Sequence, residues 1–297
     1  MTDVGAAFSR RRRPDDSADD VRVTYESLPH GRTLIMGVLN VTTDSFSDGG
    51  RWLRAEAAIA HGLELAAAGA DIIDVGGEST RPGARRIAVA EEQSRVVPVI
   101  QELARRGLAV SVDTMNASTA EAAIGAGAVL VNDVSGGLSD AQMAETIIRL
   151  DAPFIVSHWR GPSDTMNSRA TYGNVVAEAG AELEYRVAEL VVRGMNPDRM
   201  LVDPGLGFSK NSAHNWAILG HLDRFTRIGL PVIVGASRKR FLGELVAEGA
   251  PMEDRDFVSA VTAALAAQHG AWAVRVHDVE TTKAALAVAG KWKEGAR

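Results

Sequence analysis

Eight short apolar runs in this sequence are each followed by a polar or charged side chain, and these side chains could do chemistry together. The polar residues at the ends of the runs are Asn40, Asp74, Asp113, Asn132, His158, Asp203, Ser237 and His277. A carboxylate can accept two parallel N–H bonds from the edge of an amino-pyrimidinone ring, much as it accepts a guanidinium group. Asp113, Asn132 and Asp203 are therefore predicted to be hydrogen-bond partners of a flat heterocycle.

A second group of candidate residues is cationic and lies at the last two runs. Arg238 and Lys239 follow the seventh run, and Arg275 and His277 lie in and after the eighth. Barrel enzymes often bind phosphate at this place, so an anionic, phosphorylated group is predicted here. Two simpler interpretations stay open. Asp and Asn also cap helices that begin after a strand, and the basic residues could form a solvated loop.

The polar positions converge only if the apolar runs are parallel strands. The predicted strands are Leu34–Leu39, Ile72–Val75, Ala109–Val112, Val129–Val131, Phe154–Ser157, Met200–Val202, Val232–Val234 and Val274–Val276. Amphipathic helices are predicted between them, including Glu56–Ala68, Glu91–Arg105, Ser118–Ala126, Val175–Arg193, Asp256–His269 and Glu280–Lys293. Eight such repeats over roughly 265 residues predict an α/β fold of the (β/α)8 barrel type, with its site at the C-terminal ends of the strands. A doubly wound open sheet is the alternative.

The barrel is predicted to span residues 32–297, after a flexible N-terminal extension over residues 1–31. The extension places a basic run, Arg10–Arg13, before an acidic one, and such blocks of like charge are usually solvated. Its binding to an anionic partner, and a short strand over Val21–Tyr25, are alternatives. Two long polar loops, residues 40–50 and 76–84, follow the first two strands and are interpreted as lids or as ordinary surface loops.

The composition excludes several classes of function. The 297 residues include no cysteine, which excludes disulfides, cysteine–zinc sites and thiol nucleophiles. The net charge of −6 argues against a nucleic-acid partner. Because no apolar run reaches the roughly 18–20 residues of a membrane helix, no membrane partner is expected. We expect a cytoplasmic protein that acts on small molecules.

Seven motifs make the sequence resemble the bacterial dihydropteroate synthases, and the actinobacterial form most of all. In chain order they are MGVLNVTTDSFSDGG, DVGGESTRPGA, SVDT, VNDVSGG, DPGLGFSK, VGASRKRFLG and RVHDV. The resemblance implies a (β/α)8 barrel, usually a homodimer, that is the target of sulfonamides. It also implies a reaction in which 6-hydroxymethyl-7,8-dihydropterin diphosphate is joined to 4-aminobenzoate, giving 7,8-dihydropteroate and diphosphate, with Mg²⁺ as the cofactor.

The same resemblance implies a role for each matching residue. The pterin ring would be held by Asp113, Asn132, Asp203 and Lys239. Asn40 would help to bind Mg²⁺ with the diphosphate. Arg275 and His277 would bind the diphosphate, helped by Arg81, and Val276 would join the substrate site. The 4-aminobenzoate pocket would be shaped by Thr80, Arg81, Pro82, Phe46, Phe208 and Ser237. The catalytic set would be Lys239, Arg275, His277 and Asp113.

The mechanism implied by the resemblance is largely dissociative, so that diphosphate leaves before the amine attacks. Such a leaving group needs a metal ion and cations to absorb its growing charge. The sequence departs from many relatives at Thr43 and at Ser157. At the position of Ser157 those relatives have a methionine that packs near the pterin. Two other functions are carried as alternatives: a pterin-binding methyltransferase domain, and a non-catalytic homologue that binds a pterin or a partner protein.

Overall fold

The computed structural model of the protein describes residues 23–41, 51–78, 86–162 and 166–296. Within these ranges, eight parallel strands form one sheet. The strands are β1 (Leu34–Asn40), β2 (Ile72–Gly76), β3 (Val110–Asp113), β4 (Leu130–Asp133), β5 (Phe154–Ser157), β6 (Met200–Asp203), β7 (Ile233–Val234) and β8 (Ala273–Val276). The helices are α1 (Arg51–Ala68), α2 (Val89–Arg105), α3 (Ala117–Gly125), α4 (Met143–Leu150), α5 (Val175–Val192), α6 (Ser212–Gly220), α7 (Asp223–Thr226), α8 (Arg255–Gln268) and α9 (Val279–Gly295).

The sheet closes into a barrel. Its strands are ordered β6-β5-β4-β3-β2-β1-β8-β7, and a parallel bridge between Val202 and Val232 joins the two ends. The backbone N–H of Val202 donates to the carbonyl of Pro231 at 2.9 Å across this seam. The predicted (β/α)8 barrel is therefore confirmed, and the open doubly wound sheet is wrong, because strands β6 and β7 are neighbours.

Side chains alternate between the two faces of each strand, as extended chains require. On β3, Val110 and Val112 join the apolar cluster that packs the sheet against the helices, while Ser111 and Asp113 take the inward positions. Lower in the barrel the inward positions are apolar. They hold Leu34, Met36, Ile72, Leu130, Ile155, Leu201, Ile233 and Ala273. The interior is thus a packed core below and a polar layer at the C-terminal ends of the strands.

Three residues of the predicted flexible extension, Val23, Tyr25 and Leu28, pack against the barrel. Leu28 is only 4% exposed and belongs to the inner core cluster, against which Val23, Tyr25 and Trp272 pack. The rings of Tyr25 and Trp272 lie 6.2 Å apart. These apolar side chains pack against the inner core of the barrel, and the domain boundary at residue 32 stays a prediction. The rest of the predicted extension, residues 1–22, lies outside the described residues.

In the described part of the chain, no helix combines the length and the hydropathy needed to cross a membrane.

Candidate active site

An arginine held between two carboxylates forms the floor of the polar layer. Arg275 of β8 donates from Nε to Asp74 Oδ2 at 2.6 Å and from Nη2 to Asp113 Oδ2 at 2.7 Å. Asn132 of β4 donates from Nδ2 to the same oxygen of Asp74 at 3.0 Å. The ends of β2, β3, β4 and β8 are thereby joined by one network of side chains. Its members point inward because they occupy alternate positions of their strands.

Burial sets the electrostatics of this network. Asp74 is fully buried and Asp113 is 7% exposed. Burial raises the pKa of Asp113; the Arg275 cation opposes this effect, and the neighbouring Asp74 adds to it. Burial likewise raises the pKa of Asp203 on β6, against the pull of Lys239. The charge of these carboxylates therefore depends on the nearby cations. Their oxygens can accept hydrogen bonds from the N–H groups of a bound ligand.

A second cluster lies where β6, β7 and β8 end. The Lys239 ammonium donates to the carbonyl of Leu206 and lies 4.6 Å from the centre of the Phe208 ring, within the range of a cation–π contact. Burial lowers the pKa of Lys239 to about 8, against the attraction of Asp203, so Lys239 is mostly a cation at neutral pH. Ser237 Oγ lies 3.0 Å from His277 Nδ1 and accepts the backbone N–H of His277 at 3.1 Å.

Most of the predicted site residues lie at this end of the barrel in the structure. They are Asn40, Asp113, Asn132, Asp203, Phe208, Ser237, Lys239, Arg275 and His277. The loops that carry Phe46, Thr80, Arg81 and Pro82 lie outside the described residues, so their predicted roles stay predictions. The same holds for the departure at Thr43.

Two predicted residues turn away from the site. Arg238 has a positive φ of 57°, and its guanidinium makes two 2.7 Å hydrogen bonds to Asp256 of α8. It therefore does not gather with Lys239, because adjacent residues of this turn face opposite sides. Val276 is 2% exposed and belongs to the apolar cluster between sheet and helices. Its side chain takes an outward position between Arg275 and His277, so any contact with a substrate would be through its backbone.

Two residues of this region received no role from the sequence. Asp74 is the common partner of Arg275 and Asn132, yet the sequence shows it only as one of eight polar strand ends. Lys210 is 5% exposed and donates to His158 Nδ1 at 2.8 Å. Its place in DPGLGFSK, two residues after Phe208, is the signal that could have identified it.

The described residues fit a magnesium ion that arrives with its substrate. Among them, no group of three or more His, Cys, Asp or Glu side chains could hold a metal ion. Mg²⁺ typically takes one or two protein oxygens and completes its shell with substrate phosphates and water. Asn40, at the end of β1 and partly exposed, can supply one such oxygen beside the polar layer.

The arrangement has two chemically distinct halves. The floor presents carboxylate and amide oxygens to a flat ring that carries N–H groups. The cationic half, at β7 and β8, can hold an anion and absorb negative charge that grows on it during a reaction. Such a pair of halves suits the transfer of a group that joins a polar ring to an anionic leaving group.

Comparison with known proteins agrees with this arrangement. The family described as "Pterin binding enzyme" matches residues 36–277. The dihydropteroate synthase of Mycobacterium leprae is 50% identical over 263 residues, which cover 87% of this chain and 93% of that protein. The Xanthomonas albilineans dihydropteroate synthase with 4-aminobenzoic acid superposes with a TM-score of 0.82 at 43% identity, covering 88% of this chain and 93% of that one. The enzyme from the same organism in complex with 7,8-dihydropteroate has a TM-score of 0.79 at 40% identity, covering 88% and 94%.

The buried His158 predicts a loss of stability in acid. Burial and the nearby Lys210 lower the pKa of His158 from 6.5 to about 4. Between these values the unfolded chain binds the proton more readily, so the free energy of unfolding falls as the pH is lowered through this window. The contribution of His158 between pH 7 and pH 4.5 is about 2–3 kcal/mol.

Urea unfolding at the two pH values tests this prediction. His158→Gln is expected to lose less stability than the wild type on acidification. His61→Gln, at an exposed histidine of α1, is the matched control and is expected to follow the wild type. An unchanged pH dependence in His158→Gln would contradict the assignment.

Proposed function

This chain belongs to the dihydropteroate synthases of the pterin-binding enzyme family, and we infer from that premise how its site performs their reaction. The reaction joins 6-hydroxymethyl-7,8-dihydropterin diphosphate to 4-aminobenzoate and releases diphosphate. The observation that carries the inference is the pairing of the carboxylate-rich floor with the cationic half at β7 and β8, here called the cationic rim, at the C-terminal end of one barrel.

We propose that the pterin ring binds on the floor. Asp113, Asn132 and Asp203 supply acceptors for the amino-pyrimidinone edge. Lys239 lies near Asp203 and is attracted by its charge. One oxygen of Asp203 already accepts the backbone N–H of Gly205 at 2.7 Å, which fixes the carboxylate, and each carboxylate oxygen keeps a lone pair that can accept from the ring. Two aligned N–H bonds to a fixed carboxylate give both affinity and orientation.

The leaving group would face the cationic rim. In the proposed reaction the bond between the pterin methylene carbon and the diphosphate oxygen breaks, and its electron pair leaves with the diphosphate. Arg275, which extends from β8 into the floor, and His277 would stabilise the negative charge that grows there, and a fixed cation costs no reorganisation at that moment. Asn40 would bind Mg²⁺ together with the diphosphate, and the ion when bound would supply further charge neutralisation.

The amine then completes the exchange. The lone pair of the 4-aminobenzoate nitrogen forms the new bond to the methylene carbon, and the nitrogen releases one proton to water. An arylamine is already nucleophilic, so the site needs no strong general base. Phe208 and Ser237 would line the aminobenzoate side, and Phe208 already packs against Lys239. Thr80, Arg81, Pro82 and Phe46 are proposed to complete that pocket from the two loops.

A second proposal concerns assembly, which we infer to be a homodimer through α8 and α9. Phe257, Val261 and Leu265 follow one another every four residues along α8 and are 72%, 42% and 54% exposed. On α9, which packs against α8, Val288 and Trp292 are 66% and 75% exposed. An apolar stripe on two adjacent helices is typical of a subunit interface. A twofold axis lets the same stripe cover itself in a second copy.

We also propose a cytoplasmic location. The diphosphate substrate is a multiply charged ester, and moving such charges into hydrocarbon is strongly unfavourable. The substrate therefore stays in the compartment that makes it, which supports an enzyme working in that same compartment. Cell fractionation followed by the turnover assay tests this.

Turnover with both substrates and Mg²⁺ is the test of the proposed function. Dihydropteroate and diphosphate are expected to form in equal amounts. In Lys239→Ala the rate is expected to fall by about 100-fold or more, because a positioned cation is lost from the reacting site. Arg240→Ala, which removes the exposed cation next in sequence, is the matched control and is expected to retain the rate.

Other outcomes distinguish the alternatives. An undiminished rate in Lys239→Ala removes this residue from the site. Diphosphate release without dihydropteroate would indicate that the aminobenzoate pocket fails. Pterin binding by the folded wild type with neither product would identify a non-catalytic homologue, and transfer of a methyl group would identify a methyltransferase.

The dimer proposal is tested by light scattering coupled to size-exclusion chromatography. The wild type is expected at twice the 31.5 kDa mass of the chain. Phe257→Glu combined with Leu265→Lys is expected to give a monomer, since each charge would be buried in the interface. Val192→Glu, at an exposed position of α5, is the control and is expected to stay dimeric. A monomeric wild type, or a dimeric double variant, contradicts the proposal.

A further inference from the structure

Lys210, a buried lysine in the loop after β6, makes three hydrogen bonds through its ammonium group. Lys210 Nζ contacts His158 Nδ1 at 2.8 Å, the carbonyl of Gly205 at 2.9 Å and the carbonyl of Phe208 at 3.1 Å. An ammonium group has three donors and no acceptor. The three contacts therefore match the three donors of a charged lysine. Lys210 is 5% exposed, and burial lowers its pKa to about 7 against the attraction of Asp203, so these contacts favour the charged form that neutral pH alone would only half populate.

The histidine in this set is oriented from its other side. His158 Nε2 lies 3.0 Å from Glu182 Oε2, and the pKa of Glu182 is lowered to about 2 by its hydrogen bond to His158. Arg160 also donates from Nε to the Glu182 carboxylate at 3.0 Å. A carboxylate accepts, so the proton of the neutral imidazole is on Nε2, and Nδ1 is free to accept from Lys210.

The loop that Lys210 contacts also contacts the proposed catalytic lysine. Residues 204–209, here called the β6 loop, turn the carbonyls of Gly205 and Phe208 toward Lys210. On its other side the same loop offers the carbonyl of Leu206 and the ring of Phe208 to Lys239. The backbone N–H of Gly205 also holds Asp203.

The backbone conformation of the β6 loop is constrained at Gly205 and Ser209. Gly205 has a φ of +69°, and a Cβ there would lie 2.2 Å from the carbonyl oxygen of His158. Ser209 also has a positive φ, of 48°, which is uncommon for a residue with a side chain. Inward-turned carbonyls without a cation would be buried acceptors without a donor, which is unfavourable. The loop is thus wound around the Lys210 ammonium.

We propose that Lys210 is a positioning residue for the reaction: its ammonium, accepted by His158, holds the β6 loop in the shape that presents Lys239, Asp203 and Phe208 to the substrates. The proposal rests on the function proposed above. Lys210 itself does not touch the reacting atoms. It acts through the two carbonyls and through the histidine that Glu182 orients.

Chemical rescue provides a sharp test, because the chain has no cysteine. Lys210→Cys introduces a single thiol, which can be alkylated with 2-bromoethylamine in urea before refolding. The product carries an ammonium at nearly the length of lysine. Wild-type protein taken through the same steps is the control. In Lys210→Cys, kcat/KM is expected to fall by about tenfold or more, with a raised KM for the dihydropterin diphosphate, and alkylation is expected to restore most of it.

The readouts separate positioning from simple loss of fold. A smaller fraction of folded enzyme lowers the apparent kcat and leaves KM unchanged. Three outcomes would each overturn the proposal. The first is a lower kcat with an unchanged KM in Lys210→Cys, and the second is a kcat/KM close to that of the wild type. The third is alkylated enzyme that folds without recovering kcat/KM. Wild-type protein that makes no dihydropteroate counts instead against the proposed function, and calorimetric binding of the pterin to the same variants then decides on Lys210.

A milder variant covers the case in which Lys210→Cys does not fold. Glu182→Leu changes only a partly exposed residue of α5, yet it removes the acceptor that places the proton of His158 on Nε2. A raised KM for the dihydropterin diphosphate is expected. Glu184→Leu, also on α5, breaks the ion pair with Arg224 of α7 and is the matched control, with kinetics close to the wild type. Equal kinetics in the two variants would also overturn the proposal.

Discussion

The ion pairs of Arg275 with Asp74 and Asp113 are the constraint on which the rest of the site depends. Charges taken out of water are unfavourable unless they are paired and hydrogen-bonded, and Asp74 is fully buried. Arg275 lies on β8, while its two partners lie on β2 and β3. The charges can therefore be satisfied only when β8, β2 and β3 lie in the observed register. The polar layer is positioned by the same contacts that make its burial tolerable.

The other half of the site follows the same physics with the signs reversed. There Lys210 is buried and Lys239 is partly buried, and each donates to a carbonyl group of the same loop. Helix α8 contributes from outside. Asp256 and Ser259 hold Arg238, which keeps that residue turned out and its neighbour Lys239 turned in. Because the proposed dimer stripe lies on the same helix, assembly and the position of Lys239 share a structural element.

Much of the fold could be predicted from the sequence because its signals are local. Eight apolar runs and the helices between them are enough for a parallel barrel. The errors occur where long-range contacts decide. β6 extends to Asp203 because that polar residue continues the ladder with Ser157, and β7 begins at Ile233, with Val232 bridging to Val202.

The candidate site could be predicted by residue type but not by partner. Strand ends reveal Asp113, Asn132 and Asp203, since their inward positions follow from alternation. Nothing local distinguishes Arg238 from Lys239, because the direction of each depends on the backbone angles of a turn. Lys210 is missed for a related reason: its partner His158 lies 52 residues away in sequence.

Calorimetric binding of the dihydropterin diphosphate to the wild type and to Asp203→Asn, without 4-aminobenzoate, tests most directly whether the buried carboxylates hold the ring. The exchange replaces one acceptor oxygen by a donor and removes the charge that faces Lys239. We expect Asp203→Asn to bind the dihydropterin diphosphate more weakly by about 1–3 kcal/mol, the cost of a mismatched buried hydrogen bond. Equal affinity in the two proteins would contradict it.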